Sequence, residues 1–321
     1  PSTRSFISIV EKNLLPNCPV TRRDIVMAED IFGPDLGSLK GKTVRSASAT
    51  VNVQLVDIPA HIMTHYRHLT LGGDIMFVNK IPFFMSISRH IRFGTGEMLQ
   101  NQQSKTILAA IKQIKSIYMK RGFKLDHMLM DGQFEPLRAQ LADLKITLNT
   151  VSNDEHVPEI ERNIRTTKER ARCVYNTLPF DKMPARMIIE MIYYSTFWLN
   201  SFPPADGVSE TISPRGIVAG LQLDFAKHCK LEFGTYVQTH EEHNNSMATR
   251  TTGAIALRPT GNTQGGYYFL SLTTGRRLNR NRWTALPMPA EVIERVHTLA
   301  RRSGASRGLT FADRSGDPFL D

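Results

Sequence analysis

Between Leu125 and Arg172 the chain changes its hydrophobic period repeatedly, and this restricts its fold more than any other feature. Leu125-Asp-His-Met-Leu-Met-Asp-Gly-Gln-Phe134 is an apolar, strand-like run that delivers Asp131 into a glycine turn. A short helical segment follows over residues 135–144, then a second strand-like run over 146–151, then a long helix over 156–172. Strand, helix, strand, helix with connections this short implies parallel strands joined by right-handed crossovers.

The upstream residues extend the same sheet. Residues 71–78, 81–88 and 91–94 read as three strands, with Asn79-Lys80 as a two-residue hairpin connection. Residues 104–121 form an amphipathic helix with Ile107, Ile111, Ile114, Ile117 and Tyr118 at helical spacing, capped by Ser104 and stopped by Gly122. Residues 183–205, rich in Met, Ile, Tyr and Trp, make another helix; that composition suits a core or an oligomer interface. After Lys230 short apolar runs (231–238, 254–257, 266–272, 277–284) alternate with Gly, Pro and Asn turns, the signature of a small all-β, barrel-like unit. The N-terminal residues predict short helices over 10–15 and 24–32 and a basic loop over 37–45.

Three acidic residues invite a chemical reading. Asp131 stands at a strand end, Asp74 lies in the first strand of the sheet, and Glu161 sits near a helix N-terminus. Carboxylates so placed can converge on one point and hold divalent cations, since Mg²⁺ takes one or two carboxylates plus substrate phosphates. The plainer reading is that Asp131 starts a turn and that Glu159 and Glu161 favour a helix N-terminus. Helix residues two apart point roughly 200° apart, so Glu159 and Glu161 cannot both face one site. Glu161 shares a stripe with Arg165, Lys168 and Arg172, as a helix laid along phosphates would.

Met130-Asp-Gly-Gln-Phe134, then Glu161-Arg-Asn with Arg165, Lys168, Arg170 and Arg172, resembles the second half of a copia-type retrotransposon integrase core. The resemblance covers roughly residues 60 to 290. The family's Asp-Asn-Gly reads Asp-Gly-Gln here, and the interval from Asp131 to Glu161, residues 132–160, is short. It implies an α/β, ribonuclease-H-like core, a mixed five-stranded sheet with flanking helices, matching the order of elements above, followed by the small β unit. It further implies an N-terminal extension at 1–56, the catalytic core at 57–205, a connector at 206–230, the β unit at 231–289, and a C-terminal helix and linker at 290–321. By the same resemblance Asp74, Asp131 and Glu161 are catalytic and hold two Mg²⁺ or Mn²⁺ ions. The reaction is then metal-dependent DNA strand transfer by attack of a 3′-hydroxyl on a target phosphodiester. Expected DNA contacts are Gln133, Arg162, Arg165, Lys168 and Arg172, with Arg276, Arg277, Arg280 and Arg282 from the β unit. Alternation along residues 277–284 puts Arg280 and Arg282 on one face and Trp283 on the other. The partners implied are duplex DNA, as element ends and target, and further copies of the chain; the site of action is the nucleus. A catalytically inactive, element-derived DNA-binding protein and a ribonuclease-H-type nuclease are the alternatives.

Composition agrees with a polyanion partner: the net charge is +10 and the pI about 9.6. No run of about eighteen apolar residues is present to span a membrane. Cys18, Cys173 and Cys229 are too few and too scattered for a disulfide framework. The chain does not start with Met, as expected of a piece of a polyprotein. His61 and His65 share a helix face, yet no Glu or further ligand stands near them, so they read as surface histidines before a strand. His228, Cys229, His240 and His243 lack the second Cys pair of a structural zinc site.

Overall fold

The computed structural model describes residues 2–44, 55–151, 157–242, 246–305 and 307–312. Expectations that touch Arg45, His156, His243 and residues 313–321 lie outside the described residues.

Three helices come first: α1 (Thr3–Glu11), α2 (Arg22–Phe32) and α3 (Leu36–Lys42). Side-chain caps set these boundaries. Ser2 accepts from the Ser5 N–H and starts α1 well before residue 10. Thr21 and Asp24 form a reciprocal capping box on α2. Asp35 caps α3, so the stretch expected to be a basic loop is helical to Lys42 despite two glycines.

The central sheet follows. Helix α4 (Ala60–Tyr66) leads into β1 (His68–Val78), β2 (Ile81–Ser88) and β3 (Gly94–Met98). Asn79 and Lys80 both adopt positive φ, 47° and 66°, as the expected two-residue turn requires. The third strand starts at Gly94 and not at Ile91, because Arg92 takes φ 61° and ends the preceding turn. Helix α5 (Ser104–Met119) has Gln103, not Ser104, at its cap and no side-chain bond from it. Asn101 Oδ1 instead accepts from Gln103 N and Thr106 Oγ1 at 3.1 and 2.7 Å, which holds the entry to the helix. Then come β4 (Lys124–Asp131), a 3₁₀ turn (Gly132–Leu137), α6 (Arg138–Asp143), β5 (Thr147–Val151), α7 (Pro158–Asn176) and α8 (Ala185–Leu199). The helix expected over 135–144 is thus a 3₁₀ turn that holds Pro136, followed by a short α-helix.

The strand order is β3-β2-β1-β4-β5, antiparallel among the first three and parallel from β1 to β5. This is the ribonuclease-H-like arrangement. Period-two alternation divides β1 between two cores. Leu69, Leu71 and Ile75 pack with Ile107, Ile111, Ile114 and Tyr118 of α5. Met76 and Val78 pack with Ile160 and Ile164 of α7 and with Met187, Ile188 and Met191 of α8.

Short helices α9 (Pro214–Ala219) and α10 (Phe225–His228) lead to β6 (Tyr236–His240), β7 (Thr251–Pro259), β8 (Tyr267–Ser271), β9 (Arg277–Arg280) and β10 (Trp283–Ala285). These form a five-stranded antiparallel sheet in the order β10-β6-β7-β8-β9. Its two edge strands are joined by Asn281 and Arg282 alone. So short a link spans at most about 10 Å, so the sheet curls until its edges nearly meet. Val237, Ala254, Ala256, Tyr267 and Phe269 fill the curl, with Trp283 against them. The single strand expected over 277–284 is therefore broken, and Arg282 lies in the break. After α11 (Ala290–Arg302), β11 (Phe311–Ala312) adds a sixth strand to the central sheet, antiparallel to the end of β1.

The two sheets share one core. Ile255, Leu257 and Leu270 of the second sheet belong to the same buried cluster as Met187, Ile188 and Met191.

Candidate functional site

Asp74 and Asp131 end up side by side because of the β1–β4 register. The strands pair in parallel through Gly73↔Met130, and the two aspartates are the next residue on each. Alternation puts both on the face that carries Met76 of β1 and Leu129 of β4, under α7. Beyond this point β4 turns away into the 3₁₀ turn, and β11 resumes the pairing at Phe77 and Val78. On that side of β1, residues 74–76 carry no strand partner among the described residues, which leaves a notch beside the two carboxylates.

Local bonds fix both carboxylates. Asp131 Oδ1 accepts from the Gly132 N–H at 2.6 Å, capping the turn it starts. Asp74 Oδ1 accepts from Ile75 N at 2.7 Å and from Gln133 Nε2 at 3.4 Å. Gln133, expected on DNA, thus leans across the notch from the 3₁₀ turn to the first aspartate.

The N-terminus of α7 roofs this face. A Cβ on Gly72 would lie 3.3 Å from Ile160 Cβ and from Val157 Cγ1, so the absence of a side chain there is what lets α7 approach β1. Pro158 occupies the first turn, where its missing N–H costs least, and Glu161 follows one turn on. Glu159 is committed elsewhere: Arg89 Nε donates to it at 3.0 Å. Burial opposes its ionisation, but its own backbone N–H and Arg89 outweigh that and hold the carboxyl below the ordinary glutamate range.

Among the described residues no set of three His, Cys, Asp or Glu converges closely enough to hold a metal ion. Glu161 stands on an exposed part of α7.

The expected DNA contacts separate into two sets. Arg162, Arg165, Arg276 and Arg282 are exposed. Lys168 is buried, at 5% exposure, so the stripe running from Glu161 is not uniformly outward. Arg172 lies over the Phe311 ring at 5.5 Å. Arg280 pairs with Glu241. Arg277 donates to Glu190, a fully buried carboxylate on α8. The strand break at Asn281 and Arg282 removes the alternation that put Arg280 and Arg282 on one face.

His61 and His65 are exposed on α4. His228 is buried, and its ring nitrogens meet the Asp224 backbone and the Asn262 carbonyl.

Sequence reasoning missed a cluster at the junction of the two sheets. Glu190 binds Arg258 at 2.8 Å as well as Arg277, and both guanidinium groups lie over the Tyr268 ring. Nothing local marks Glu190 as special, since its partners are 68 and 87 residues away.

No protein-family model matches the chain, and no curated protein matches it. Among solved structures it is similar to the HTLV-2 integrase catalytic core domain in complex with magnesium, at 15% identity and a TM-score of 0.34, over 46% of this chain and 95% of that one. It is similar to the BIV integrase catalytic core domain at 15% identity and a TM-score of 0.33, over 47% and 93%. It is also similar to a simian T-cell lymphotropic virus intasome in complex with PP2A regulatory subunit B56 gamma, at 11% identity and a TM-score of 0.37, over 90% and 100%. The ribonuclease-H-like fold itself follows from the strand order and registers of this chain.

Proposed function

We propose that the chain is a retroelement integrase of the copia type, a polynucleotidyl transferase that joins a 3′-hydroxyl of element DNA to a target phosphodiester. The observation that carries this reading is the placement of Asp74 and Asp131 on adjacent parallel strands, beneath the first turns of α7. Asp74 and Asp131 would hold a divalent cation, which supplies activation of the attacking oxygen and neutralises charge on the leaving oxygen. Gln133 orients the Asp74 carboxylate through its Nε2. Glu161 is the proposed third acidic group, with Arg162 and Arg165 beside it to bind phosphates. The work is done on duplex DNA in the nucleus by more than one copy of the chain.

A second reading, an element-derived DNA-binding protein without chemistry, draws on the lack, among the described residues, of a group of three His, Cys, Asp or Glu placed to hold a metal ion. One assay separates them. Mg²⁺-dependent strand transfer by the wild-type chain should be abolished in Asp74→Asn, Asp131→Asn and Glu161→Gln, and retained in Glu159→Gln, with DNA affinity largely unchanged in all four. Strand transfer that survives either aspartate substitution would sink the first reading. No transfer by the wild type, with DNA binding intact, would favour the second.

A further inference from the structure

A cavity of about 490 Å³ opens where the first residues of β1 and β4 meet the last turn of α5. His68 and Lys124, which start the two strands, pair in register and both line it. Six residues of strand separate His68 from Asp74, so the cavity lies about 20 Å from the first aspartate. Three lysines, Lys115, Lys124 and Lys145, line it against one acid, Asp126, which is already bonded to His68 Nδ1. Lys115 Nζ donates to the Leu144 carbonyl, a neutral acceptor, and keeps two further N–H groups. Among the described residues the ammonium groups of Lys124 and Lys145 have no ion-pair or hydrogen-bond partner. Lys145 takes φ 58° in the turn that closes α6, where Ile146 N bonds Leu141 O at 2.9 Å. That position favours glycine, so the lysine is held on this wall at a conformational cost. Arg67 Nε donates at 3.3 Å to the carbonyl of Gly122, another residue of the lining, and brings a guanidinium to the same neighbourhood.

We propose that this cavity binds a cluster of phosphate groups, carried by a free oligophosphate or by a nucleic-acid strand. Ammonium groups gathered around one concave space, with no carboxylate to neutralise them, repel one another until an anion enters. A phosphate chain delivers successive charges a few ångströms apart, each with free acceptor oxygens, so it satisfies several ammonium groups at once. A carboxylate brings a single charge, and its two oxygens match the fork of an arginine, which does not line this cavity. Holding the fold together accounts only for Lys115, whose bond to Leu144 ties α5 to the end of α6. Lys124 and Lys145 fasten nothing through their ammonium groups. The cavity lies away from the aspartates, so its ligand can bind whether or not they transfer a strand.

The test is calorimetric titration of the full chain, free of divalent cations, with inorganic tripolyphosphate and, separately, with a duplex oligonucleotide over a range of salt. The double variant Lys124→Gln/Lys145→Gln is compared with Lys12→Gln/Lys105→Gln, which removes the same charge from exposed lysines elsewhere. All four positions are exposed, so melting temperatures should stay near that of the wild type. A free oligophosphate as ligand predicts micromolar binding of tripolyphosphate by the wild type, weakened roughly tenfold in the first variant and by less than about twofold in the second. A nucleic-acid ligand predicts that the first variant alone flattens the slope of log K for the duplex against log salt, by about 0.9 for each lysine lost. The proposal is overturned if the two variants cannot be told apart with either probe, or if tripolyphosphate binds only above a millimolar Kd and the duplex slope is that of the wild type.

Discussion

Arg277 Nη1 donates to Glu190 Oε1 at 2.7 Å, which ties the second sheet to α8 of the first. Arg258 Nε takes the other oxygen of the same carboxylate at 2.8 Å, and Glu190 itself is fully buried. An arginine that the sequence offers to DNA is therefore a fastening. The shared apolar cluster and this triad join the two sheets.

Glu190→Ala leaves two guanidinium groups facing each other without their counter-ion. Breaking a buried ion pair from one side costs about 3–5 kcal/mol. Urea denaturation should show a decrease of that order in a single transition. Two separate transitions in the wild type would count against the shared core.

The salt dependence of DNA binding should distinguish the arginines. Removing one phosphate-binding side chain flattens the slope of log K against log salt by about 0.9. Arg276→Ala and Arg282→Ala should each flatten the slope, whereas Arg277→Ala and Arg280→Ala should leave it unchanged. A flatter slope in Arg277→Ala would return that residue to the DNA surface.

Gly72→Val should push α7 off β1, since the new Cβ meets Ile160 and Val157 at 3.3 Å before its methyl groups are counted. Overpacking of this kind costs about 1–3 kcal/mol. Strand transfer should fall further than stability does, because the displaced turn carries Glu161. Wild-type transfer rates in a variant with a lowered melting temperature would show that the position of α7 is immaterial to the chemistry.

Glu97, on the edge strand β3, has its carboxyl raised above the ordinary glutamate value by burial, with Arg258 opposing the shift. A raised carboxyl binds its proton more tightly folded than unfolded. Its contribution to stability is therefore full below the unfolded value and disappears as pH rises through the folded one. Glu97→Gln should remove that decline, so variant and wild-type plots of melting temperature against pH should diverge from the ordinary glutamate range upward. Parallel pH profiles would show that Glu97 binds its proton equally in both states.

The sequence alone determined the elements whose signals are local. Period-two runs marked β1, β2, β4 and β5, the Asn79-Lys80 turn joined the first pair, and the isoleucine spacing defined α5. Their order along the chain was enough to imply the ribonuclease-H-like sheet. Local caps were legible too, but weaker, and α3 was missed because Asp35 outweighs two glycines. Tertiary structure alone decided which side chains meet. The parallel register of β1 and β4 puts Asp74 beside Asp131, although α5 and two strands separate them along the chain. The same packing buries Lys168 and pairs Arg277 with Glu190. A charge carries no local mark of its partner. Whether it faces solvent, phosphate or a buried carboxylate depends on which distant residues the fold brings against it.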